Sequence, residues 1–250
     1  MKKLMTFPLL IIMSITASSV VYGQKIMKLD MDLKANSTPV EAKRKGLSFI
    51  SKYEFGPYRI VSGKSGWTAT TSHKGFFNLE THSVSQARSS FVMVAGDRDT
   101  IKVNTSTNTQ VSQIDFDEEP ILNQNTNNYL DIISLTGDTT LWKMIIVFRK
   151  GTDVKNYFNA EGILTNGRER IQISQVKQWE DGSSSLFRMI CGYEFILNGK
   201  SIAAVQSSRD ASKKRLVWLN RNLDEKMKNV LAAASASLMI HTDSESNFGE

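Results

Sequence analysis

The chain has 250 residues, of which 40% are hydrophobic and 22% charged, and its formal net charge is +6. Those proportions belong to a globular chain and exclude a disordered one. The basic residues are scattered, with no dense Arg/Lys stripe interleaved with aromatics, which argues against nucleic acid as a partner.

The first residues, MKKLMTFPLLIIMSITASSVVYGQ, read as a secretory signal. Lys2 and Lys3 make a positive start, an apolar stretch follows, and Val21 and Gly23 suit the small-residue positions three and one before a cleavage point. Cleavage is expected before Gln24, because the apolar core is short for a membrane span. The mature chain is then exported, to the periplasm or outside if the source is bacterial. It loses two cations and no acid, leaving +4, enough for mild attraction to anionic envelope surfaces. Cys191 is the only cysteine, so a lipid-bearing cysteine at the cleavage site and an intramolecular disulfide are both ruled out. Stability must come from core burial.

In chain order, residues 24–37 have little pattern and read as a mobile leader. Residues 38–46, TPVEAKRKG, predict a short helix: Thr38 as cap, Pro39 at the first position, Glu41 three after the cap and Gly46 at the end. Lys43, Arg44 and Lys45 crowd its last turn, where cations complement the helix dipole. They read either as a basic docking patch or, more simply, as a solvated end.

From Phe49 the period changes. YRIVSG, GWTATTS, FFNLETH and SFVMVAG are short runs rich in β-branched and aromatic residues, and GDRDTIKVNT adds a turn and a strand. SGKSG at 62–66 reads as a hairpin turn. It is not a phosphate loop, because Tyr58 stands where the first glycine belongs and no helix follows. Residues 115–128, DFDEEPILNQNTNN, read as a long loop. LWKMIIVFRKG is the strongest strand, and six further runs follow up to KRLVWLN. Asn166-Gly167 and Asn198-Gly199 are dipeptides favoured by tight hairpins, whose central residues need positive φ. Twelve to fourteen meandering strands with no helices between them exclude a doubly wound fold. They predict a mainly β, antiparallel closed barrel or, alternatively, a β-sandwich with a packed terminal helix. The expected organisation is a signal peptide (1–23), a leader with a basic helix (24–46), one β domain (47–242) and a polar tail (243–250).

The terminal helix carries the most structural information. Asn222 and Glu225 resemble a capping box, with Asp224 and Glu225 in the first turn. Leu223, Met227, Val230, Leu231, Ala234 and Leu238 form an apolar stripe at helical spacing. The opposite side, however, holds Ala232, Ala233, Ala236, Met239 and Ile240 rather than charges. A helix apolar all round is buried all round or lies in a membrane. The eleven uncharged residues 230–240 cover roughly 16 Å, about half a hydrocarbon core, so burial in protein is expected. Ser235 and Ser237 could return their hydroxyls to carbonyls four residues earlier.

The order YEFILNGKSIAAVQSS, then KKRLVWLN, then RNLDEKMKNVLAAASASLMIHTD resembles the C-terminal part of the Tubby-like superfamily, including its LURP-one-related and scramblase-like branches. The resemblance covers residues 193–243. It implies a twelve-stranded barrel with the C-terminal helix threaded through it and a non-enzymatic role at or near membranes. Lys200, Lys213, Lys214 and Arg215 are its candidate ligand-binding residues by proximity.

Other chemistry is thinner. His73, Glu80 and His82 could gather on neighbouring strands, but no zinc motif surrounds them, so no metal site is expected. Asp115, Asp117, Glu118 and Glu119 lack the spacing of a calcium loop. His241 follows the apolar helix, where a cation suits the dipole. Trp67, Trp142, Trp179 and Trp218 read as core rather than as a sugar- or lipid-binding face. No cofactor is expected, and no catalytic set is recognisable. The functional expectation is an exported, non-enzymatic binding or envelope-associated protein with a lipid, glycan or protein partner. The alternative is a periplasmic or secreted hydrolase.

Overall fold

In the computed structural model the described residues are 25–45, 52–74, 80–96, 99–116, 119–150, 158–184, 190–207 and 214–247. The expected signal segment and cleavage point before Gln24, together with Gly46 and Lys213, lie outside them. A short helix, α1 (Met31–Asn36), precedes β1 (Val40–Lys45), β2 (Lys52–Phe55), β3 (Tyr58–Lys74), β4 (Glu80–Ala95), β5 (Asp99–Phe116) and β6 (Glu119–Leu135). Then come β7 (Leu141–Lys150), β8 (Phe158–Thr165), β9 (Arg170–Val176), β10 (Gly192–Leu197), β11 (Lys200–Gln206), β12 (Arg215–Leu219) and α2 (Glu225–Asn247). Each strand pairs antiparallel with its sequence neighbour, and β1 also pairs with β12, so twelve strands close into a barrel.

The core contains residues from all twelve strands, from Ala42 on β1 to Val217 on β12, together with α2. Ten consecutive helix residues, Val230 to Met239, have no exposed surface. A helix without a wet face is therefore the filling of the barrel. Alanines let the wall close on it, and each large aliphatic or aromatic side chain buried this way is worth about 1.5–3 kcal/mol. The cap sits two residues later than the sequence suggests: the Met227 amide donates to Asp224 Oδ1 (2.7 Å), while Asn222 belongs to the turn before it. Ser235 and Ser237 are fully buried, and their hydroxyls find no hydrogen-bond partner among the described residues. It is Thr242 that returns its hydroxyl to a carbonyl, that of Leu238, at 2.8 Å.

Several sequence expectations need correction. Residues 25–37 are not a mobile leader. Met27 and Leu33 are completely buried against Trp179, Cys191, Ala204, Leu216 and Trp218 on the outside of the barrel. Gln206 ties this strap down, accepting from the Met27 amide (2.8 Å) and donating to the Lys25 carbonyl. Asp30 caps α1 through the Asp32 and Leu33 amides. The strap explains why β11 reads as an unbroken apolar run: it is buried on both faces, by α2 inside and the strap outside. Residues 40–45 form strand β1 instead of a basic helix. An isolated two-turn helix is marginal, whereas β1 gains partners on both sides and closes the sheet. The barrel thus begins at Val40, before the expected boundary at 47, and α2 continues through the expected tail to Asn247.

The third correction concerns residues 115–128, which are hairpin rather than loop. β5 and β6 stay paired up to Phe116 opposite Glu119, leaving only Asp117 and Glu118 outside the described residues. Likewise SGKSG is not a turn but lies inside β3, where the register shifts between Ser65 and Thr68. A Cβ on Gly66 would lie 2.4 Å from the Arg88 carbonyl oxygen, so glycine here marks a bulge pressed against the neighbouring strand. Asn198-Gly199 does form the expected two-residue turn, with φ of 52° and 76°.

Candidate functional site

Because α2 occupies the interior, a ligand has to be sought at the barrel ends or on its outer surfaces. One end is polar. Where α2 leaves the barrel, His241 Nε2 lies 2.8 Å from Asp131 Oδ2, with the pair 4% and 0% exposed. The His241 ring stacks on Tyr129 at 4.0 Å between centroids, and Phe148 meets Tyr129 edge-on. Asp131 Oδ1 is buried with no hydrogen-bond partner among the described residues. Beside this pair, Tyr53 donates its hydroxyl to Asp243 Oδ2 (2.5 Å), Arg215 pairs with the other oxygen of Asp243, and its guanidinium lies over the Tyr53 ring. Burial, reinforced by the Asp243 charge, raises the Tyr53 hydroxyl well above the usual phenol range. These contacts anchor the helix end to β2, β6 and β12.

Beyond this end, β3 to β6 continue as a four-stranded sheet. These strands are 16 to 18 residues long, about 55 Å, whereas most of the remaining strands have four to eight residues. Strand register sets which residues share a face. The row Thr70, Ser85, Thr109, Asn127 follows directly from the pairings, as does the row Thr68, Ala87, Thr107, Tyr129. Tyr129 is the residue stacked on His241, so this face continues the inner wall of the barrel. Hydroxyls bond across it: Thr70 to Ser85 at 3.2 Å and Ser72 with Ser83 at 3.1 Å. From Thr68 to Ser72 these rows carry hydroxyl and amide groups and no charged side chain, which offers donors and acceptors without demanding a counter-charge. The free edge of β3 carries bulges and the exposed Lys64, both devices that discourage strand-to-strand aggregation.

The proposed basic set does not converge. Lys200 starts β11 and Lys214 precedes β12 beside Gln206 at the other end of β11, roughly 20 Å away along the strand. Lys214 is occupied by Glu41 at 2.9 Å and Arg215 by Asp243, while Lys213 is outside the described residues. His73 and His82 are direct partners across β3 and β4, and Glu80 begins β4; their side chains lie outside the described part of the structure. Among the described residues no group of three His, Cys, Asp or Glu could hold a metal ion. Trp142, Trp179 and Trp218 are buried, the first inside the barrel and the other two under the strap. Cys191 is buried with them, and burial pushes its thiol up to about 12.

Sequence reading missed the His241–Asp131 pair because its members are 110 positions apart. The one available signal was a histidine ending an apolar helix. Asp131, as an acid alternating with Leu130 and Ile132, looks like an ordinary outward-facing strand residue. Among the described residues no helix is long and apolar enough to cross a membrane. Comparison with protein-family models, curated proteins and solved structures returned no match to this chain.

Proposed function

We propose that this chain is an exported, non-enzymatic binding protein of the Tubby-like type, which takes a neutral, hydroxyl-rich ligand, a glycan, on the inner face of the β3–β6 extension. The observation that carries the reading is the uncharged cross-strand face of Thr70, Ser85, Thr109 and Asn127, set beside a barrel whose lumen is already full. A glycan offers many hydroxyls and little charge, so it is matched by neutral donors and acceptors rather than by cations. The closed barrel around a C-terminal helix supports the Tubby-like assignment, and the signal-like start supports export.

Among the described side chains, the histidine–carboxylate pair open to a hydrolase is His241 with Asp131. That pair is almost wholly buried, and among the described residues no hydroxyl or thiol bonds to the imidazole as a nucleophile would. The test is retardation of the mature chain in gels containing envelope polysaccharide. Retention should survive a rise in salt, because no charge pairing is involved, and Thr70→Val with Thr109→Val should abolish it without changing the melting temperature. Salt-sensitive retention, or release of new reducing ends from the polysaccharide, would overturn the proposal.

A further inference from the structure

The chain has two Asn-Gly dipeptides, Asn166-Gly167 between β8 and β9 and Asn198-Gly199 between β10 and β11. An asparagine followed by glycine can lose its side-chain ammonia spontaneously, because glycine has no Cβ to shield its amide nitrogen from the neighbouring side chain. The two glycines are alike. Their φ values are 89° at Gly167 and 76° at Gly199, and nothing stands within 4 Å of where a Cβ would lie on either. The asparagines differ. Asn166 is half-buried and tied down. Its Oδ1 accepts from the Arg168 and Glu169 amides at 2.9 and 2.8 Å, and its Nδ2 donates to Glu169 Oε2 at 3.0 Å. The Gly167 amide, which would be the nucleophile, donates to Thr165 Oγ1 at 3.1 Å, and Thr165 in turn donates to the Glu169 carbonyl at 2.6 Å. Asn198 is exposed, and neither its side chain nor the Gly199 amide has a hydrogen-bond partner among the described residues. The ladder resumes at Leu197 and Lys200, so the peptide between Asn198 and Gly199 can rotate without parting a strand pair.

We infer that Asn198 is a site of spontaneous deamidation in the folded chain and that Asn166 is protected from it. The Gly199 nitrogen attacks Asn198 Cγ, and its proton passes through solvent to the departing side-chain nitrogen. The N–Cγ bond forms, the Cγ–Nδ2 bond breaks, and ammonia leaves behind a five-membered succinimide. Water then opens the ring. Addition at Cγ breaks the new bond and leaves an aspartate in an ordinary chain. Addition at the backbone carbonyl carbon instead breaks the original peptide bond and leaves an isoaspartate, whose main chain runs through the side-chain carboxyl and is longer by one carbon. Water is the co-reactant, and nothing is oxidised or reduced. Aspartate tolerates the left-handed φ of 52° at this position, so that product keeps the turn. The isoaspartate does not fit a two-residue turn, and the strands it joins carry Phe195 and Ala203, both completely buried in the core. The inference is independent of what binds the inner face of the extension.

Incubation of the folded chain in oxygen-18 water at mildly alkaline pH tests it, followed by digestion in ordinary water and mass mapping of the two peptides. Ring opening places a heavy oxygen at each site that has reacted. The peptide holding Asn198 should gain label at least about tenfold faster than the one holding Asn166, whose hydrogen bonds must all be broken first. Its products should separate chromatographically into aspartate and isoaspartate forms. In urea, where the hydrogen bonds at Asn166 are gone, the two rates should converge. Thr165→Val with Glu169→Ala should raise the rate at Asn166 towards that at Asn198, with circular dichroism checking that the chain stays folded; the comparison within the unaltered chain stands without this variant. Equal rates in the folded chain, faster labelling at Asn166, or label at Asn198 that appears only in urea would each overturn the inference. So would a folded Thr165→Val, Glu169→Ala chain in which Asn166 reacts as slowly as before.

Discussion

Strands β3 to β6 are built from two kinds of sequence joined end to end. On β5, Ile101 and Val103 are completely buried and alternate with exposed Lys102 and Asn104. A few residues on, Thr107 and Thr109 are half-buried beside exposed Ser106 and Gln110. The ladder to β4 runs through both halves without a break, sixteen pairs from Asp99 to Ile114. Backbone pairing therefore does not distinguish the two regions. What differs is whether α2 stands behind the sheet to take the inward side chains. The same strand is barrel wall where the helix is present and a two-sided polar sheet where it ends.

That contrast predicts how the regions respond to change. Ala234→Asp places a charge at the centre of the barrel with no partner, and it should cost more than about 4 kcal/mol in urea unfolding. Ala232→Asp should do the same, and unchanged midpoints for both would remove the threaded helix. Asp131→Ala, at the seam between the regions, strands the buried His241 and leaves a small cavity. Its expected cost is about 2–3 kcal/mol, with loss of His241 stacking visible in the imidazole NMR signals. Met27→Ala on the strap should also cost about 2–3 kcal/mol. Under native conditions it should raise hydrogen exchange in α1 and β11 before the rest of the barrel. Ser85→Asp in the extension, by contrast, should stay within about 0.5 kcal/mol; a cost like that of Ala234→Asp would mean that the extension is a core.

The smallest effect concerns pH. Burial raises the Glu194 carboxyl above its usual range, the Asp30 amide at 2.9 Å lowers it, and the Asp30 carboxylate raises it again. An acid whose pKa is higher in the folded state favours folding below its ordinary value, and that contribution is lost as pH rises through the folded value. Glu194→Gln should therefore raise the melting temperature at neutral pH by roughly 1–3 °C and flatten its decline from mildly acid to neutral conditions. A melting temperature that falls equally at every pH would show that Gln cannot replace the carboxylate as acceptor for Asp30.

Legibility followed the reach of each interaction. The Asn198-Gly199 turn was readable because its conformation depends on two adjacent residues. β1 was misread because cap and stop signals at 38–46 are local preferences worth little beside a ladder closed on both sides. The extension was misread as turn and loop because Gly63, Gly66 and the Asn/Gln run resemble punctuation, and only the partner strands turn them into bulge and ladder. The basic residues 200–215 looked like one cluster because they are close in sequence, yet a strand carries its ends to opposite mouths of the barrel.

By itself the sequence determined that this is an antiparallel β protein with one helix that must be buried. Strand periodicity and the absence of a wet face are properties of short segments, and residues 230–240 state theirs without reference to anything else. Only the tertiary structure decided that the sheet closes at β1 and β12, that residues 25–37 cover the outside of β11, that His241 meets Asp131, and that β3 to β6 run on as a polar sheet beyond the end of the barrel. Each of those depends on residues brought together across most of the chain, where the free energy of burial rather than local preference chooses the partner.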